Sequence, residues 1–145
     1  MKTIFRNIAA VVIGLVLGSL VNMALVGLGP RLIPPPSGVD VSTVEGLAAG
    51  VHLLEPKHYL FPFLAHAVGT FVGALVTHLT AATRRSFLAY VLGAFFLTGG
   101  IMAAFMIPAP AWFIALDLLV AYIPMVCLAR RLGRRIRPEG DIPSR

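Results

Sequence analysis

The chain has 145 residues, 58% of them hydrophobic and only 12% charged, with 12 Lys and Arg against 6 Asp and Glu and a formal charge of +6. A soluble domain carries roughly 25% charged residues, so the composition excludes a water-soluble enzyme, and it excludes intrinsic disorder, which needs low hydrophobicity and high charge. What remains is a small integral membrane protein, its basic excess flanking membrane spans rather than binding nucleic acid. The single Cys127 forms no internal disulfide and excludes disulfide-exchange chemistry, which needs a cysteine pair.

Charge-poor stretches define the elements in chain order. Residues 7–30 and 58–83 contain no Asp, Glu, Lys or Arg, and residues 86–129 contain one, Asp117. A membrane helix takes about 20 apolar residues, so the last stretch holds two helices. Pro108 and Pro110 mark the break, because proline is accepted in a first turn and not in a helix interior. The expected spans are 8–28, 59–82, 87–106 and 111–129. The first is too long for a signal peptide and has no small-x-small cleavage site after it, so it reads as a retained span. The expected fold class is an all-α membrane protein, a four-transmembrane-helix bundle. Residues 1–137 form a single membrane domain and 138–145 a flexible cytoplasmic tail.

Lys2, Arg6, Arg84, Arg85, Arg130, Arg131, Arg134, Arg135, Arg137 and Arg145 fall on one side of these spans, and only Arg31 and Lys57 on the other. The positive-inside rule then places both termini in the cytoplasm and the loop 29–58 outside. The basic stretch 130–137 reads as an anchor for anionic lipid. In the outer loop Pro34-Pro35-Pro36 favours a stiff extended segment. Ser42 and Glu45 have capping-box spacing, and Val44, Leu47, Ala48, Val51 and Leu54 recur at helical spacing. Together they predict a short interfacial helix over 43–54, ended by Glu55-Pro56.

Small residues mark helix contacts. Gly14 and Gly18 form one G-x-x-x-G pair and Gly69 and Gly73 another, a spacing that lets backbones approach in lipid. Gly99-Gly100 offers a further site of close approach or a flexible point, and Pro124 predicts a kink that frees the carbonyl of Val120.

Polar residues within the spans carry the functional question, because an ionisable group in hydrocarbon costs several kcal/mol by insertion scales. Counted from the outer ends, Asn22 and Asp117 lie roughly 9 Å deep, His66 roughly 10 Å and Thr98 roughly 12 Å. All four spans thus supply one group to a common layer, with Asp117 and His66 as a pair that titrates as a coupled unit. Thr70, Thr77 and Thr80 continue a stripe from His66, lining a narrow path or, more simply, packing a helix contact. The histidine spacings do not support a metal or haem site: Pro56 separates His52 from His58, and His66 and His78 sit roughly 18 Å apart on one helix. Neither a metal nor another cofactor is expected. Phosphate-loop, nucleophile-elbow and zinc-protease motifs are absent from the sequence.

Three segments, Ile33-Pro34-Pro35-Pro36-Ser37-Gly38-Val39-Asp40, Phe61-Pro62-Phe63-Leu64-Ala65-His66 and Ile107-Pro108-Ala109-Pro110-Ala111-Trp112-Phe113, together resemble a group of small, uncharacterised bacterial four-span inner-membrane proteins. The resemblance covers most of residues 8–131 and implies topology and location, with no activity. Function is read two ways from the residues. The first is an accessory or structural membrane subunit whose polar layer sets helix packing, alone or as a homodimer or part of a larger complex. The second is a proton-linked carrier or channel for a small solute, using Asp117 and His66. A cofactor-binding membrane protein is a third, weaker reading.

Overall fold

In a bilayer every backbone N–H and C=O needs a partner within its own segment, so a long charge-free stretch becomes a helix. The computed structural model describes residues 1–138, which contain six α-helices and no strand. They are α1 (Lys2–Leu32), α2 (Val44–Gly50), α3 (Leu60–Thr80), α4 (Arg85–Met106), α5 (Ala111–Val120) and α6 (Ile123–Ile136), with 3-10 turns at Val51–Leu53 and Pro56–Tyr59. Among these residues four helical segments are long and apolar enough to cross a membrane: Lys2–Leu32, Pro56–Thr80, Arg85–Met106 and Ala111–Ile136, the last formed by α5 and α6 together. Apart from Pro138, the expected tail lies outside the described residues.

The first and last helices overrun the expected spans. Helix α1 continues through Pro30 to Leu32, since a proline in the last turn forfeits only one backbone bond. At 1.5 Å per residue it is roughly 46 Å long, against a hydrocarbon core of about 30 Å. Helix α6 keeps its helical form through the arginine-rich segment to Ile136, because arginine is a good helix former.

Helix α3 is central and packs against α1, α4, α5 and α6. Its contact with α1 is backbone on backbone. A Cβ added at Gly14 would stand 2.7 Å from the Gly73 carbonyl, and one at Gly73 would stand 2.8 Å from the Gly14 carbonyl. Gly18 and Gly69 face each other in the same way, at 2.7 and 2.9 Å. On its other side α3 joins α4 and α6 through a core of Ala74, Ala89, Leu92, Val126 and Ala129. Gly93 makes room there for Val126, and Gly133 for the ring of His78. The outer faces are apolar instead: Ile8, Val12, Val16, Leu20 and Met23 of α1 are all exposed.

The end of the bundle that carries the N-terminus is tied together by arginines. The last carbonyls of a helix have no partner within it. Here Arg6 Nε donates to Thr80 O at 3.1 Å, and Arg137 donates to Leu79 O and to Ala81 O. Arg85 donates to Pro138 O at 3.1 Å, and Asn7 accepts from the Ala82 and Thr83 amides.

At the opposite end the loop folds over the bundle. The cap of α2 is Thr43, whose Oγ1 accepts from the Gly46 amide at 3.0 Å, and not Ser42. Ser42 is committed elsewhere, since both its amide and its hydroxyl donate to Asp40 Oδ1. Glu55 opens a new 3-10 turn, its amide donating to His58 Nδ1 at 2.9 Å. Nδ1 is thereby an acceptor, so Nε2 carries the proton and donates to Pro34 O at 3.1 Å. His58 is a loop staple, and no cluster of metal-ligating side chains occurs among the described residues.

Candidate functional site

A helix break builds the site. Pro124 has no N–H to offer Val120, and the chain leaves helical geometry at Tyr122 before α6 starts. Tyr122 takes φ −115° and ψ −82°, so its side chain turns back toward the last turn of α5. In a continuous helix residues five apart do not share a face. Across this break Tyr122 Oη donates to Asp117 Oδ2 at 3.1 Å.

Asp117 is buried, and its carboxylate also meets His66 Nδ1, which lies 2.9 Å from each oxygen. The imidazole stacks on Tyr122, ring centroids 5.8 Å apart at 29°. The carboxylate accepts from the Tyr122 hydroxyl and can accept from Nδ1–H, which leaves His66 Nε2 as the other ring nitrogen. That nitrogen makes no hydrogen bond to another described residue, and His66 forms part of the wall of a cavity of about 500 Å³. Ser19, Asn22 and Met23 of α1, Phe95, Phe96, Gly99 and Gly100 of α4, and Tyr122 complete most of that wall. No protein-family model, curated protein or solved structure matches the chain.

The expected polar layer is only partly assembled. His66 and Asp117 touch, and Asn22 lines the same cavity. Thr98 stays out: it is exposed and its hydroxyl donates to Ala94 O of its own helix at 2.8 Å. Equal depth does not fix the face on which a residue stands, and a threonine can always satisfy its hydroxyl one turn back.

The threonine stripe divides, with Thr80 exposed and the other two inside the bundle. Thr70 and Thr77 are fully buried. Thr77 Oγ1 donates across to Ala10 O of α1 at 3.3 Å, and Thr80 Oγ1 donates back to Val76 O at 2.7 Å. None of the three lines the cavity. Gly99 and Gly100 have different tasks. A Cβ at Gly100 would collide with the Tyr122 hydroxyl, whereas one at Gly99 meets nothing within 4 Å. Gly100 therefore seats Tyr122, and Gly99 leaves the cavity open.

Tyr122 is the site residue that sequence reasoning missed. Its hydroxyl is inconspicuous in an apolar stretch, and the spacing from Asp117 is wrong for a helix. The available signal was Pro124, which announces a break two residues beyond Tyr122.

Proposed function

We propose that this chain is a bacterial inner-membrane protein, multi-pass, with cytoplasmic termini, that handles a small solute through proton exchange at His66 and Asp117. One observation carries the reading: the pair is buried at Asp117 and open at His66, whose imidazole stands in a cavity wall. A polar cluster that only fixed helix register would satisfy itself and close. Here the carboxylate orients the ring and holds Nδ1 protonated, which leaves Nε2 to accept or release a proton. The orientation is supported by the collection of Arg6, Arg85 and Arg137 at the end that also holds the N-terminus. Anionic lipid is the natural partner of that end.

Liposomes holding the purified full-length protein and an internal pH indicator test the reading. Wild type collapses an imposed pH gradient faster than Asp117→Asn or His66→Gln, which match protein-free liposomes. Equal rates in all three proteins contradict it. One observation favours a purely structural subunit instead: the Asp117 bonds tie α3, α5 and α6 into one unit. On that reading Asp117→Asn loosens the bundle and changes no flux.

A further inference from the structure

The cavity that His66 lines is walled chiefly by α1 and α4. Its lining residues Met23 and Phe95 are 70% and 58% exposed and belong to two helices long and apolar enough to cross a membrane. With apolar, exposed α1 and α4 side chains in its wall, the cavity is suited to an occupant that enters from the hydrocarbon phase. Yet its interior is polar in a way that acyl chains cannot satisfy. Ser19, Asn22 and His66 all line it, and neither the side chains of Ser19 and Asn22 nor His66 Nε2 make a hydrogen bond to another described residue. An unpaired polar group in hydrocarbon costs several kcal/mol. The apolar share of the wall includes the rings of Phe95, Phe96 and Tyr122. Beside them Gly99 contributes no side chain and has nothing within 4 Å of its Cβ position.

The geometry points to a lipid-soluble molecule with a hydroxylated aromatic head, of the quinol class, as the solute: its ring lies among the three aromatic side chains and its hydroxyl donates to His66 Nε2. Asn22 and Ser19 supply the complementary donors and acceptors for a second ring oxygen. The volume suits such a head, since small-molecule pockets run about 300–1,000 Å³, and its apolar tail remains in the bilayer. This inference rests on the proton-exchange reading and narrows it, because a quinol hydroxyl is a hydrogen-bond donor from which an unprotonated His66 Nε2 accepts.

The test is equilibrium binding of a decyl-substituted benzoquinol to the full chain in lipid nanodiscs, measured against protein-free nanodiscs. Wild type retains quinol in excess of the lipid, and Gly99→Leu lowers that affinity by at least about tenfold. A Cβ at Gly99 meets no protein atom within 4 Å, so the fold and the Asp117–His66 contact are expected to persist in Gly99→Leu, as judged by unchanged helicity and thermal midpoint. Asn22→Leu weakens binding in the same direction. Retention no greater than in protein-free nanodiscs, or equal retention by wild type and Gly99→Leu, overturns the proposal. So does a stable wild-type dimer that Gly99→Leu dissociates, since the cavity is then a subunit contact. Gradient collapse in liposomes needs no quinol, so Asp117-dependent flux without quinol binding removes this inference alone.

Discussion

Asp117 is a buried acid with two hydrogen-bond donors on it, the His66 ring and the Tyr122 hydroxyl. Tyr122→Phe removes one of them without changing shape. Polar contacts within membranes average about 0.6 kcal/mol and reach about 1.7, so the variant is expected to lose about 1 kcal/mol in unfolding from mixed micelles. A double-mutant cycle with Asp117→Asn should then show coupling of about the same size; additive losses would mean that the hydroxyl does not act through Asp117. Asp40 is a surface counterpart. Donors from Ser42 and Thr43 hold its carboxyl below the ordinary value of 3.8. A lowered folded value means that the turn gains stability above the ordinary carboxylate range and loses it as pH falls through the lowered value. The protection of the Ser42 amide from hydrogen exchange, taken relative to the unstructured rate at each pH, should therefore hold from neutral pH down to that point and drop below it. Residue identity made His66 and Asp117 legible in the sequence, because ionisable groups in hydrocarbon are conspicuous. It could not exclude Thr98, whose face was undetermined, or include Tyr122.

Among the helices, the glycines divide by what stands opposite them. Gly18 faces the Gly69 carbonyl and Gly99 faces open space. Gly18→Val should force α1 off α3 and cost about 1–3 kcal/mol, the usual toll of overpacking, whereas Gly99→Val should leave the thermal midpoint unchanged. Equal effects at the two positions would deny the backbone contact. The i,i+4 spacing made both glycine pairs readable, while adjacent Gly99 and Gly100 gave no clue that one seats a tyrosine and the other lines a void. Pro124 is the second lever. Pro124→Ala restores an N–H for Val120, and the rejoined helix should swing Tyr122 away from Asp117. Helicity is expected to rise while the Tyr122–Asp117 coupling vanishes in the same mutant cycle; retained coupling would show that the break does not depend on the proline.

For the molecule as a whole, hydrophobicity made four spans legible, since the bilayer fixes how many apolar residues a helix needs. The ends were less legible because they lie where water competes, and there arginine bonds to particular carbonyls decide how far a helix continues. Side-chain bonds from Arg6, Arg85 and Arg137 draw the start of α1, the α3–α4 turn and the end of α6 together. A membrane-impermeant thiol reagent applied to intact cells should label a cysteine placed at Ser42, in a Cys127→Ala background, and spare one at Arg84; the reverse pattern would invert the proposed topology. At its centre the bundle holds one imidazole against a buried acid, and His66 lines a cavity. Nitrogen-15 NMR of histidine-labelled protein in bilayers observes both ring nitrogens directly. His66 Nδ1 is expected to give the signal of a protonated nitrogen hydrogen-bonded to a carboxylate, and Asp117→Asn is expected to shift it. A His66 spectrum that is the same in wild type and in Asp117→Asn would contradict the account.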